Sequence, residues 1–154
     1  MRKSETVTVP AGFGRDVGKT FLVTEKPAVD AERWAWRMFI AMKGTAGAIP
    51  QEAERLGMVG VAILGLNTFL AAPVKFDELR PLLDELLECV KVIRDPRHPE
   101  IATTLTGIGD EVEEVQTVAW LRSEVLRVHT GFSFADGLLT LVTMIRTSAD
   151  LQTT

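Results

Sequence analysis

The feature that most constrains this chain is the segment from Pro27 to Met42, PAVDAERWAWRMFIAM, which contains two of the three tryptophans. On a helix, residues spaced three and four apart form one apolar stripe, namely Ala31, Trp34, Ala35, Met38 and Met42. Trp36 and Ile40 lie outside this stripe, so the helix is apolar on more than one side. The segments before and after the helix are expected to cover both sides. Trp34 and Trp36 are then expected at the junction between an N-terminal hairpin and the remaining helices.

Length and composition indicate one globular domain over residues 1–154. With 46% apolar and 25% charged residues, the chain is large enough to bury a core without disulfides. A single cysteine excludes an internal disulfide and fits a reducing cytoplasm. The net charge of −4 gives no reason to expect nucleic-acid binding, and the N-terminus lacks the apolar region of a secretory signal.

Charge is distributed unevenly along the chain. Residues 1–43 contain 8 Lys/Arg and 5 Asp/Glu, whereas residues 44–154 contain 9 and 16. The basic N-terminal part either pairs with the acidic remainder inside the protein or leaves an acidic surface for a partner.

The pattern along the chain predicts a mainly α fold, with an N-terminal β-hairpin packed on a bundle of about five helices. Thr6 to Val9 and Lys19 to Thr24 are rich in β-branched residues and predict the hairpin, an arm over 1–26. Helices are predicted at 27–42, 51–72, 76–93, 110–130 and 134–148, within a bundle over 27–148 and before a frayed tail at 149–154. Residues 101–109 fit a short strand or an extended linker.

Residues 56–72 form an uncharged run of 17 residues. This is just short of the ~20 apolar residues of a transmembrane helix. The run contains three glycines and has no aromatic belt or flanking Lys/Arg cluster. These features favour a buried helix or an oligomer contact over a membrane span.

Gly18-Lys19-Thr20 is the most conspicuous candidate for chemistry, because it matches the end of a phosphate-binding loop. That motif needs a glycine five residues before Gly18, where this chain has Phe13. A phosphate-binding loop also leads into a helix, whereas the residues after Thr20 predict a strand. A hairpin turn is therefore favoured over nucleotide binding.

Catalytic and metal sites are not indicated elsewhere. Cys89 would need His98 or His129 as a base, and its acidic neighbour disfavours the thiolate. Asp95, His98 and Glu100 are close in sequence, but prolines constrain them and no further ligand is signalled. The sequence therefore predicts a non-enzymatic protein without cofactor or metal.

Several short segments, in one order along the chain, resemble a known family. They are RDVGKTF from Arg15, TEKPA from Thr24, AERWA from Ala31, GMVG from Gly57, LLDEL from Leu82, RSEV from Arg122 and HTGFS from His129. Together they span roughly residues 14–135 and resemble the tail assembly chaperones of long-tailed bacteriophages. Proteins of that family are thought to hold the long tape measure protein soluble while the tail tube polymerises around it.

The resemblance implies a chaperone in the host cell cytoplasm that binds the tape measure protein, with the tail tube protein as a further candidate partner. Self-association is expected, and nucleic acid and membrane are not expected as partners. A helical partner would use an apolar stripe, and the predicted one is Leu79, Leu82, Leu83, Leu86, Leu87 and Val90. Two alternatives stay open: a structural or adaptor component of the virion tail, and a small nucleotide-binding or thiol enzyme.

Overall fold

The computed structural model describes residues 1–43, 55–60, 76–105 and 111–131. Within these ranges lie four strands and three α-helices: β1 Ser4–Thr8, β2 Thr20–Thr24, α1 Ala28–Lys43, α2 Phe76–Leu87, β3 Val90–Ile93, β4 Ala102–Thr104 and α3 Val115–Thr130. One 3₁₀ turn, Gly14–Asp16, lies between β1 and β2. The predicted helix over 134–148, the predicted tail and most of the apolar run 56–72 fall outside the described residues.

The four strands form one antiparallel sheet in chain order, β1-β2-β3-β4. The predicted hairpin is confirmed, and its register places Ser4 opposite Thr24 and Thr8 opposite Thr20. β3 pairs with the other side of β2, and β4 pairs with β3. The hairpin is therefore half of a larger sheet rather than an arm beside a helical bundle.

The predicted fold class, a β-hairpin packed on a bundle of about five helices, is wrong. The error begins at Val90, because the leucine spacing extended the predicted helix over 76–93. The helix ends at Leu87, and Val90–Ile93 form a strand. Three of those four residues are β-branched, which favours a strand. Residues 102–104, within the ambiguous stretch, form the edge strand β4.

One face of the sheet is covered, and α3 packs on it. In β2, Phe21 and Val23 are fully buried while the alternating residues Thr20, Leu22 and Thr24 are only half-buried, as expected for a sheet with one covered face. α3 packs on β1 and β2, and α2 packs between α1 and α3. The fully buried core side chains include those of Trp34, Phe21, Phe39, Met38, Leu86, Leu121, Val23 and Val90.

One end of α1 and one end of α3 lie where the local sequence predicted them. α1 follows Pro27 as predicted. Gly131 ends α3 as predicted, in the left-handed conformation with φ +79°. α3 begins at Val115 rather than at residue 110, because the residues just before it are extended and contact the loop between β1 and β2.

Candidate functional site

The segment that imitates a phosphate-binding loop lies between β1 and β2 and contacts the start of α3. Asp16 is fully buried. Its carboxylate accepts backbone N–H bonds from Glu113 (3.0 and 3.1 Å) and Glu114 (2.8 Å). It also accepts a bond from Lys19 Nζ at 2.6 Å. Asp16 therefore satisfies N–H groups at the N-terminus of a helix that starts almost one hundred residues later.

The pKa of Asp16 reflects these contacts. Burial by itself would raise it, because a charged carboxylate loses its hydration. The bond from Lys19 and the backbone bonds from Glu113 and Glu114 outweigh burial and lower the pKa to about 2. The carboxylate is therefore ionised at neutral pH and bound on both oxygens.

Lys19 and Arg15 complete the cluster. Lys19 Nζ donates to Asp16, to the Glu111 carbonyl (3.1 Å) and to Glu113 Oε1 (3.1 Å). Arg15 Nε donates to Glu114 Oε1 at 2.9 Å. We call this cluster the loop clasp, and it comprises Arg15, Asp16, Lys19, Glu111, Glu113 and Glu114.

The loop clasp bears on the nucleotide-binding alternative. An ammonium group has three protons, and Lys19 directs its Nζ to three acceptors within the protein. The surrounding carboxylates would also repel a phosphate. In this arrangement the cluster fastens a loop to a helix, and Lys19 has no donor left for a nucleotide.

Gly14 allows the loop to approach α3 closely. Its φ is +53°, in the left-handed region that favours glycine. A Cβ atom at this position would lie 2.7 Å from Glu114 Oε1, which Arg15 holds in place. The glycine is therefore needed for the turn and for the close approach.

The predicted partner-binding stripe lies in the core. Leu79, Leu82, Leu83, Leu86, Leu87 and Val90 are all buried, each with an exposed fraction of 8% or less. The carbonyl of Leu82 accepts a bond from Trp34 Nε1 at 2.9 Å, and the carbonyl of Leu83 accepts one from Arg122 Nε at 3.3 Å. A partner would reach this stripe only if α2 moved away from α1 and α3. Partner binding at the stripe stays a prediction.

An exposed apolar face lies instead on α1. Val29, Trp36 and Ile40 are 57%, 45% and 65% exposed. They lie at positions i, i+7 and i+11, so they share one side of the helix over a length of about 16 Å. Within the described residues, the side of α1 with Trp34 and Met38 is buried. The segment predicted to cover the other side, 51–72, lies mostly outside the described residues. We call Val29, Trp36 and Ile40 the α1 outer face.

Comparison with protein-family models, with curated proteins and with solved structures finds no match to this chain. Within the described residues, no helix has the length and apolar character needed to cross a membrane. The same part of the chain contains no group of three or more His, Cys, Asp or Glu side chains placed to hold a metal ion.

Cys89 and the histidines were the candidate catalytic residues. Cys89 is buried, and burial raises the pKa of its thiol, so the protonated form is favoured at neutral pH. It lines a cavity of about 330 Å³ together with charged side chains that include Lys26, Arg37 and Glu85. Arg37 and Glu85 are paired by two hydrogen bonds, which lower the pKa of Glu85.

His129 joins the end of α3 to the start of α1. Its Nδ1 donates to the Val125 carbonyl at 2.7 Å, and its Nε2 accepts the backbone N–H of Lys26 at 2.8 Å. Because a carbonyl only accepts and an N–H only donates, these bonds define a neutral imidazole. Burial lowers the pKa of His129 further from its usual value. The side chain thus acts as a fixed hydrogen-bonding link.

Proposed function

We propose that this protein is a non-enzymatic tail assembly chaperone that binds the tape measure protein and keeps it soluble in the host cytoplasm. The observation that carries the proposal is the α1 outer face, where a tryptophan and two aliphatic residues face solvent along one helix. The sequence resemblance to phage tail assembly chaperones supplies the identity of the partner. An exposed apolar face along a helix fits a partner that is itself a long apolar helix.

The shape of the α1 outer face supports a helical partner. Three apolar side chains along about three helical turns match the spacing by which one helix packs on another. Trp36 packs edge-on against Phe39, with ring centroids 6.4 Å apart, and Phe39 is fully buried. A half-exposed tryptophan supported by the core is the residue type that most often dominates binding energy.

The α1 outer face also offers one charged contact to a partner helix. Arg33 lies between Val29 and Trp36 on the same side of α1, and its pair with Asp30 is long, at 3.9 Å. Arg33 is therefore available to a carboxylate on the partner helix. Covering Trp36 and Ile40 would contribute on the order of 1–2 kcal/mol for each side chain.

Co-expression with the tape measure protein of the same tail module tests the proposal. We expect the tape measure protein to be soluble and to co-purify with this chain, and Trp36→Ser or Ile40→Ser to lower the recovered amount. Ile101→Ser is the matched control, because Ile101 is also an isoleucine with an exposed fraction of 65% but lies just before β4. Equal recovery with and without this chain would refute the proposal.

A second measurement distinguishes a chaperone from a structural or adaptor component of the virion. Mass spectrometry of purified phage particles should find the chain absent or far below the abundance of tail proteins, because a chaperone leaves when the tube is complete. Stoichiometric presence in particles would favour a structural or adaptor component instead.

A further inference from the structure

Within the described residues, β1 is an edge of the sheet and carries a row of backbone groups that point away from β2. Val9 N–H donates to the Lys19 carbonyl (2.9 Å) and Glu25 N–H donates to the Lys3 carbonyl (2.9 Å), so the odd-numbered residues of β1 face β2. The N–H and C=O groups of Ser4, Thr6 and Thr8 therefore point away from the sheet. All three residues are exposed.

Between Ser4 and Thr8 this edge lacks the usual protection against pairing, and Lys3 and Pro10 lie just outside that range. Natural edge strands are blunted by proline, lysine, bulges or extreme shortness. β1 has five residues in continuous register with β2, and it contains no proline, lysine or bulge. The opposite edge, β4, has only three residues. The two edges of the described sheet thus differ in their capacity to pair.

We propose that β1 pairs with β1 of a second copy of this chain, antiparallel and centred on Thr6. This arrangement places Thr6 opposite Thr6 and Ser4 opposite Thr8. Each of these residue pairs can exchange two backbone hydrogen bonds. The product is a symmetric dimer with one continuous antiparallel sheet. The inference is independent of the tape measure proposal, because it uses a different surface and a different partner.

Side chains in β1 are compatible with this pairing. Ser4, Thr6 and Thr8 are polar and uncharged, so like charges do not meet across the new pair. Glu5 is the one charged residue of β1. Arg127 Nη2 donates to Glu5 Oε2 at 2.8 Å, which neutralises that charge within the same chain. The inward charge that usually discourages edge pairing is therefore compensated.

Sedimentation analysis across a wide range of protein concentrations tests the proposal. The fraction of the wild-type chain that is dimeric should rise as the protein concentration is raised. Thr6→Pro removes the central N–H from both strands, and its ring fits an edge position whose N–H faces solvent. We expect dimerisation to weaken by about 30-fold, from the loss of two hydrogen bonds.

Thr104→Pro is the matched control on β4. Thr24 N–H donates to Cys89 O, so odd-numbered residues of β3 pair with β2 and Val92 pairs with Thr103. The N–H of Thr104 therefore also points away from the sheet, and Thr104→Pro should leave dimerisation unchanged. Circular dichroism checks that both variants fold.

A second pair of variants decides the matter if either proline variant fails to fold. Thr6→Lys keeps the backbone but places two ammonium groups directly opposite each other, so it should also weaken the dimer. Thr104→Lys should not. The proposal is overturned if the wild-type chain is monomeric at every concentration. It is also overturned if the variants at Thr6 and Thr104 dimerise equally.

Discussion

Replacing Asp16 by asparagine tests whether the loop clasp stabilises the fold. The carboxylate is fully buried and accepts bonds from Lys19 and from two backbone N–H groups at the start of α3. Asparagine keeps the size of the side chain but removes its charge. One of its two terminal atoms becomes an NH₂ donor that faces other donors.

The magnitude follows from the pKa of Asp16. The difference between 3.8 in the unfolded chain and about 2 in the folded chain corresponds to about 2 kcal/mol of stability at neutral pH. The misplaced NH₂ group and the weakened helix cap together lower the stability by at most about 1 kcal/mol more. We therefore expect Asp16→Asn to lower the free energy of unfolding by about 2–3 kcal/mol.

Urea unfolding followed by tryptophan fluorescence measures this change. For a chain of this length the same loss corresponds to a fall in melting temperature of roughly 5–10 °C. Asp84→Asn serves as the control, because Asp84 is exposed and its distance to Arg80 is 3.7 Å. The control variant should stay within about 0.5 kcal/mol of the wild type.

The pH dependence gives an independent check on the cause. Between pH 4 and pH 2 the unfolded chain binds a proton at Asp16 that the folded chain does not, so the stability from Asp16 is lost as the pH falls. The difference in stability between the wild type and Asp16→Asn should therefore narrow as the pH approaches 2, leaving only the part that comes from the NH₂ group and the helix cap. A variant that is as stable as the wild type at pH 7, or a difference that does not narrow in acid, would refute the reasoning.

Three further predictions concern other contacts of the fold. Gly14→Ala should destabilise the protein by about 1 kcal/mol more than Gly57→Ala, as compared by thermal unfolding. The two glycines have similar positive φ angles, +53° and +57°, but a Cβ atom meets a neighbouring side chain only at position 14. The free energy of unfolding that neutral His129 contributes should be lost as the pH falls below 6.5, because the pKa of His129 is lower in the folded chain than in the unfolded one. His129→Gln should remove this loss from a plot of stability against pH, whereas His98→Gln should leave it in place. Trp34→Phe removes a buried hydrogen bond and should lower the free energy of unfolding in urea by about 1–3 kcal/mol. Trp36→Phe, at the half-exposed tryptophan of α1, is the control.

Local signals predicted the hairpin, α1 and the glycine that ends α3. Each depends on residues that are neighbours in the sequence: β-branched runs, apolar spacing along a helix and a C-terminal glycine. The extension of the sheet was missed because strand pairing is not local. Val90 continued the leucine spacing of α2, and the partner of β3 lies about seventy residues earlier in the chain.

The loop clasp illustrates the same limit for the site. Asp16 contacts residues 97 and 98 positions later, and no short motif encodes such a contact. The uneven charge of the chain indicated internal pairing as one of two options. The bonds from Arg15, Lys19 and Arg37 to later glutamates now show that pairing.

The outer face of α1 marks a different limit. Apolar spacing indicates that a helix has two apolar sides, but it does not tell which side the rest of the chain covers. Trp34 is buried and Trp36 is half-exposed, although only Ala35 separates them. Burial depends on how α2 and the sheet pack, which becomes visible only in the fold.

The central claim, that this chain keeps a tape measure protein soluble through the α1 outer face, is tested most directly by light scattering. The tape measure protein is diluted from denaturant into buffer with wild-type chain, the Ile40→Ser variant or the Ile101→Ser variant. We expect the wild type and Ile101→Ser to suppress scattering at near-stoichiometric amounts, and Ile40→Ser to do so only weakly. Scattering that is as high with the wild-type chain as without it would contradict the claim.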